Sequence, residues 1–255
     1  MEDLDPPREI PGAAEQILHS LKIHGLRWDG PVLWQSERHA AYGAVIDTLL
    51  ERRQAFRCDC TRAMLHNAGG VYPGTCRDRH LTEETESAIR LRLEGDTLIR
   101  VDDAIQPALQ QNLARETGDF IIKRRDGLFA YQLAVVLDDA YQQINVVMRG
   151  SDLYDSTPRQ VYLQRLLGLP TPRYAHIPVI VNADGQKLSK QTHAPALADE
   201  DALHNLRQAL RFLGQPDINA GSVEDLLRTA VSNWDRTRVP TVPGIPESEL
   251  HTGET

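Results

Sequence analysis

Ile177-Pro178-Val179-Ile180-Val181-Asn182-Ala183-Asp184-Gly185-Gln186-Lys187-Leu188-Ser189-Lys190-Gln191 opens on an apolar run and closes on two lysines three residues apart. The apolar run predicts a buried-type strand, and Asn182-Ala183-Asp184-Gly185 is a strong turn signal. Lys187 and Lys190 then fall on a loop where both ammonium groups can face one side. There they would neutralise charge developing on a pyrophosphate leaving group, with the Ser189 hydroxyl as a further donor. The glycine pattern of a Walker A loop is absent. Alone, a pair of exposed lysines on a surface turn explains the loop as well; the strand before it is what favours a phosphate site.

Upstream, the same alternation of helix and strand continues. Thr157–Leu167 reads as an amphipathic helix, Ile144–Val147 and Phe120–Ile122 as strands, and residues 88–93 and 97–101 as strand candidates. Two earlier helices are expected: one from Pro11 to about Gly25, and one from Glu37 to Arg53 turning Ala41, Val45, Ile46, Leu49 and Leu50 inward. Downstream, helices are expected near 201–213 and 222–234, and the proline-bearing tail from Val239 as an irregular end. Strands interleaved with helices predict an α/β fold with parallel members. Among the 255 residues there is no internal repeat or low-complexity tract.

The composition, 41% hydrophobic and 25% charged, fits an ordinary globular chain of one large domain, or one domain with a smaller insertion. A formal charge of −8 argues against broad, non-specific nucleic-acid binding but permits a local basic face. Lys123-Arg124-Arg125 is the most basic run, read first as a solvated strand end. No apolar stretch reaches the roughly 18 residues of a membrane helix, and Met1–Arg8 does not resemble a secretory signal. The expected compartment is the cytoplasm.

All three cysteines, Cys58, Cys60 and Cys76, lie within one loop-like segment, residues 54–80. Cys58-Asp59-Cys60 puts two thiols on one tight turn, a common way to hold two corners of a tetrahedral zinc. No His-Glu helix motif accompanies them, so a structural metal is expected. Tyr72, His66 and His80 are candidates for a fourth ligand, and three unconnected thiols are the alternative. Separately, Arg149 beside Gly150 suits bidentate capture of a small carboxylate, with the Tyr131 hydroxyl as a partner. The simpler accounts are an ion pair from Arg149 to Asp138, Asp139 or Asp152, and core packing for Tyr131.

Together, Glu2–Arg8, Gly25–Gly30, Cys58-x-Cys60-Thr61, Arg124–Ala134, Arg149–Leu153 and Lys187–Gln191 resemble the glutamyl branch of the class I aminoacyl-tRNA synthetases. Pro11–Glu15, the Lys-Leu-Ser-Lys-Gln form of the loop and the lack of an anticodon-binding domain resemble a stand-alone member of that branch. The resemblance spans roughly residues 1–240. It implies a Rossmann-type catalytic domain (1–53 and 100–190), an inserted zinc-bearing subdomain (54–99), a helical C-terminal part (191–240) and a tail (241–255). It implies activation of L-glutamate by ATP, with magnesium, and transfer to the queuosine base at the wobble position of tRNA(Asp), by a monomer. Carried over by position, Glu2, Tyr131 and Arg149 would bind glutamate, Glu2 taking the ammonium and Arg149 a carboxylate. Lys190, with Lys187, would serve catalysis and ATP, and Cys58, Cys60, Tyr72 and Cys76 would hold the zinc.

The resemblance also implies an Arg-x-Ala-Pro-Ser-Pro-x-Gly loop and a HIGH-like motif ahead of Met1-Glu2-Asp3. The recorded start is therefore expected to be an internal methionine of a longer protein, and the 255 residues alone to be weakly stable and poor at adenylate formation. The competing expectations are a truncated glutamyl-tRNA synthetase catalytic domain and an inactive tRNA-binding remnant.

Overall fold

In the computed structural model of the chain, the described residues are 1–6, 9–67, 70–189 and 196–249. Lys190 and Gln191 lie outside them, as does the side chain of His66.

The architecture is α/β, built around one main core with two smaller clusters, one of them at the cysteines. Strands β1 (Ala55–Cys58), β2 (Ala88–Leu91) and β5 (Ile121–Lys123) form an antiparallel sheet in the order β1-β2-β5. A hairpin of β3 (Leu98–Val101) and β4 (Leu109–Asn112) lies beyond it. The expected parallel members are two strand pairs among the described residues, with an isolated parallel bridge between Asp103 and Tyr174. In one, β6 (Val146–Gly150) and β7 (Arg173–Ile177) run side by side with Arg149 opposite His176. In the other, β8 (Val179–Val181) pairs with β9 (Gly244–Pro246).

The helices cover these sheets. Helix α2 (His39–Glu51), α5 (Tyr131–Tyr141) and α6 (Thr157–Leu167) contribute Tyr42, Ile46, Leu49, Leu133, Val161 and Leu163 to a core that includes Ile89, Leu91 and Ile122. Thus β2, from the expected insertion, and β5 and α5, from the expected catalytic part, share one interior. Helix α6 is bounded by local chemistry: Pro158 sits in its first turn and Gly168 closes it at φ 67°. It carries the chain from β6 back to β7, the crossover that parallel strands require.

Three expectations need correction. The face of α2 holds at Val45, Ile46, Leu49 and Leu50 but not at Ala41, which is exposed while Tyr42 is buried, its hydroxyl donating to Asp138 at 2.7 Å. Residues 54–80 are not all loop, since β1 and α3 (Arg62–Asn67) lie there; β2 supplies the pairing edge that makes β1 a strand. The tail is not irregular throughout. Val239 is buried, and Gly244–Pro246 forms β9 because the backbone of β8 offers it a partner.

Helix α1 (Ala13–Ile23) buries none of its residues fully, and Ile17 is half exposed. The turn that follows it meets α8 (Val223–Ser232), where a Cβ on Gly25 would stand 2.7 Å from Leu227 Cδ1. Helix α7 (Ala202–Phe212) completes this layer, Asn205 reaching back to His24. No helix of the described residues is long and apolar enough to cross a membrane.

Candidate functional site

Arg149 is the hub of a polar cluster where α5, β6 and β7 meet. Its Nε donates to His176 Nε2 at 3.0 Å, and Nη1 to the Tyr131 hydroxyl at 3.1 Å. Its Nη2 donates to Thr157 Oγ1 at 2.9 Å and to the Leu153 carbonyl at 3.4 Å. Four of its five N–H groups are thereby engaged, leaving one on Nη1 for a ligand. The ion pairs anticipated as simpler explanations do not form among the described residues. Asp138 is taken by Gln35, Arg38 and Tyr42, and Asp152 by Lys187. Arg149 therefore presents a fixed cation with no carboxylate bonded to it, the arrangement that receives an anionic group.

Glu2 and Asp139 lie near enough to feel that charge. The protein around Glu2 raises its carboxyl pKa by desolvation, against the pull of the amino terminus and of Arg149. Burial pushes Asp139 up to about 6, again opposed by Arg149 and assisted by Asp138 and Glu2. Burial also raises the Tyr131 phenol, so it is a neutral donor and acceptor at pH 7. Cation at one end and carboxyl groups at the other can receive a carboxylate and an ammonium group, the pair that an amino acid carries.

The lysine loop adjoins this cluster. Lys187 forms an isolated bridge with Val181 and an ion pair with Asp152 at 2.6 Å, and Asp152 is three residues from Arg149. Gly150 is needed for room rather than for backbone freedom: a Cβ there would collide with the Asp152 carboxylate and stand 2.9 Å from Val179. The loop and the Arg149 cluster are thus joined through one acidic side chain. The Lys123–Arg125 run ends β5 and is tied down, Arg124 locally by Asp126 at 2.5 Å and Arg125 by the carbonyl of Asp59, between two of the cysteines.

The three thiols do converge. The sulfurs of Cys58, Cys60 and Cys76 all lie within 4.8 Å of one another. Cys60 and Cys76 are 3.5 Å apart, and Tyr72 Oη is 3.5 Å from Cys58 Sγ. A tetrahedron of ~2.3 Å zinc–sulfur bonds has edges of about 3.8 Å, so these spacings fit the ion. The charges fit as well. Arg90 Nε donates to Cys58 Sγ at 3.3 Å and Arg79 to Cys76 Sγ at 3.4 Å, offsetting the surplus negative charge of three thiolates on a divalent ion. Burial raises the Cys58 thiol, but hydrogen bonds from Tyr72, the Cys60 backbone and Arg90 outweigh it and lower the pKa. Cys60 goes the other way, to about 12, through burial and its sulfur neighbours, so a cation is needed to deprotonate the whole set. Tyr72 fits the fourth position: it is buried, and its oxygen also accepts from the Cys76 N–H at 2.8 Å. His80 is exposed at the rim of a neighbouring cleft.

Behind the cluster, Gly118 (φ 67°) lies against Tyr72, where a Cβ would be 2.5 Å from the Tyr72 carbonyl oxygen. Asp119, fully buried, binds Arg77 through two 2.6 Å bonds and the Leu93 N–H at 2.9 Å. Two residues central to the Arg149 cluster, Asp103 and His176, carry no local signal in the sequence. They meet across 73 positions, at 2.6 Å.

The fold places a lysine loop, an arginine with no carboxylate bonded to it and a cysteine cluster in one chain, and comparison with known proteins gives the class. Residues 1–213 match the family described as tRNA synthetases class I (E and Q), catalytic domain, and the chain belongs to that family of ligases. It is 51% identical over 253 residues to the glutamyl-Q tRNA(Asp) synthetase of Pseudomonas aeruginosa, covering 98% of this chain and 86% of that protein. The enzyme of the same name from Ectopseudomonas mendocina is 49% identical, with 98% and 85% covered. Among solved structures, a glutamate tRNA ligase from Elizabethkingia meningosepticum in complex with its amino acid superposes with a TM-score of 0.76 at 22% identity, covering 98% of this chain. A glutamate-tRNA synthetase from Elizabethkingia anophelis gives the same values, and this chain spans about three-fifths of each of the two. These two likenesses concern the fold.

Proposed function

We propose that this chain activates glutamate with ATP and transfers the glutamyl group to the queuosine base of tRNA(Asp). The observation that carries the reading is the guanidinium of Arg149, held by four protein bonds with one N–H to spare, beside Tyr131 and within the field of Glu2. In this reading Arg149 and Tyr131 bind a carboxylate of glutamate, and Glu2 takes the ammonium. That ammonium would relieve the burial cost on Glu2. Binding both ends fixes the α-carboxylate for attack on the α-phosphate of ATP. Lys187 and Lys190 would hold the phosphates, with magnesium, and neutralise the departing pyrophosphate. Lys187 would exchange Asp152 for phosphate.

Cys58, Cys60, Cys76 and Tyr72 would hold one structural zinc, making residues 54–99 a rigid zinc-bearing subdomain. The ion supplies a cross-link, and the chemistry stays with the Arg149 cluster. The queuosine acceptor is supported by the relatives at about half identity, which carry that specificity in their name.

The test is incubation with labelled glutamate, ATP and tRNA(Asp) with or without queuosine. Label retained only on the queuosine-bearing tRNA is expected. Label at the 3′ end of either tRNA would favour a glutamyl-tRNA synthetase, and tRNA binding with no glutamate-dependent pyrophosphate exchange a non-catalytic remnant.

A further inference from the structure

Arg149 has an unusual partner. Guanidinium stays protonated, so the 3.0 Å contact between Arg149 Nε and His176 Nε2 requires an N–H on the arginine and a lone pair on the imidazole. The ring proton must then sit on Nδ1, where Asp103 Oδ2 accepts it at 2.6 Å. Asp103 in turn cannot rotate. Its Oδ1 accepts backbone N–H groups from Ile105 (3.0 Å), Gln106 (2.8 Å) and His176 (3.1 Å). Both side chains of the pair are wholly buried. The register of β6 and β7 sets Arg149 directly opposite His176, so the relay is built into the sheet.

We propose that Asp103 and His176 are positioning residues: they lock the imidazole as the Nδ1–H tautomer, which pins Arg149 and leaves its one unused N–H, on Nη1, for a ligand. The proposal rests on the reading that Arg149 binds a carboxylate. Without the lock, the guanidinium would keep its charge but lose one of the four bonds that orient it, and recognition of a carboxylate depends on that geometry. The alternative is a purely structural pair that only staples β7 to the loop after β3.

Burial and the Arg149 cation favour the neutral ring of His176, while the Asp103 and Asp152 carboxylates favour the charged one, and the balance lies with the neutral form. Arg149 stands on β6, Thr157 on α6 at 3.3 Å, and Tyr154 and Tyr174 pack against the ring, with Asp152 the nearest further charge. Burial lowers the pKa of His176 below 6.5, with Arg149 contributing and Asp103 opposing. An imidazolium would have no lone pair for Arg149, so orientation is retained above pH 6.5 and lost as pH falls through the lowered value.

The test combines nitrogen-15 spectroscopy of His176 with glutamate KM and kcat in pyrophosphate exchange and with calorimetric glutamate binding. Wild-type protein should show the Nδ1–H tautomer at pH 7. His176→Leu removes the acceptor, and Asp103→Asn turns a donor toward Nδ1 and reverses the tautomer. Each should raise the glutamate KM and Kd about tenfold or more, with kcat at saturating glutamate changed little, since one hydrogen bond to a charged group is at stake. His176→Gln, whose amide oxygen can replace Nε2 as acceptor, should recover most of the loss. A wild-type proton on Nε2 would overturn the proposal, as would a raised KM in Arg149→Gln with none in folded His176→Leu. An unchanged KM in Arg149→Gln would instead overturn the functional reading. If Asp103→Asn does not fold, the wild-type spectrum and the Leu–Gln contrast at position 176 still decide.

Discussion

Replacing Gly118 by alanine tests whether the backbone behind the cysteine cluster sets its geometry. Gly118 has φ 67°, a region where a side chain costs about 1 kcal/mol. Its new Cβ would also lie 2.5 Å from the Tyr72 carbonyl oxygen and 2.8 Å from the Tyr72 nitrogen. Both are backbone atoms, so no rotamer change relieves the collision, and overpacking of this kind costs about 1–3 kcal/mol. The sum, about 2–4 kcal/mol, corresponds to a fall in melting temperature of roughly 5–15 °C for a chain of this size. Gly127 provides the control: at φ 87° with nothing within 4 Å, its alanine variant incurs only the conformational cost, about 1 kcal/mol. Because Tyr72 must move, the Gly118 variant should also bind zinc more weakly, read by competition with a chromogenic chelator. If Gly118→Ala melts no lower than Gly127→Ala and keeps full zinc affinity, the packing argument fails.

Three further outcomes follow from the site. Asp139 has a folded pKa of about 6 against 3.8, so folding penalises its carboxylate; the penalty is absent below pH 3.8 and complete above 6. Asp139→Asn should therefore stabilise at pH 8 by about 1–2 kcal/mol, allowing for solvent screening, and by nothing at pH 3.5; equal melting shifts at both pH values would refute this. Tyr72→Phe leaves three thiolates and should lower zinc affinity about tenfold while one equivalent still binds at saturating metal, measured by elemental analysis and chelator competition. Lys187→Ala breaks a half-exposed ion pair with Asp152 and should cost under about 1 kcal/mol in stability, yet slow glutamate-dependent pyrophosphate exchange by tenfold or more.

What was legible in the sequence was whatever local chemistry decides. Helix α6 begins and ends at the expected residues because Pro158 and Gly168 act on their own turns. The thiol cluster was legible because its members lie close in the chain. The inward face of α2 was misjudged at one position: apolarity favours Ala41, but a distant aspartate makes Tyr42 the better core residue. The strand at Gly244–Pro246 has no alternating pattern, and its pairing comes from β8, some 65 residues earlier. Asp103 and His176 were invisible for the same reason, since only the β6–β7 register brings them to Arg149.

The pairing of β9 with β8 also bears on the order in which the protein is made. Val179–Val181 leads directly into the lysine loop, and its partner is Gly244–Pro246. The Pro243 carbonyl accepts from the Val179 N–H at 3.0 Å and from the Ser151 hydroxyl, while the Val242 carbonyl accepts from Gln106 at 3.2 Å. During synthesis at about 5–20 residues per second, the strand under the lysine loop waits several seconds for residue 246 to emerge. The strand that leads into the lysine loop is therefore secured only once residue 246 has emerged, later than the β6–β7 pair that carries Arg149 and His176.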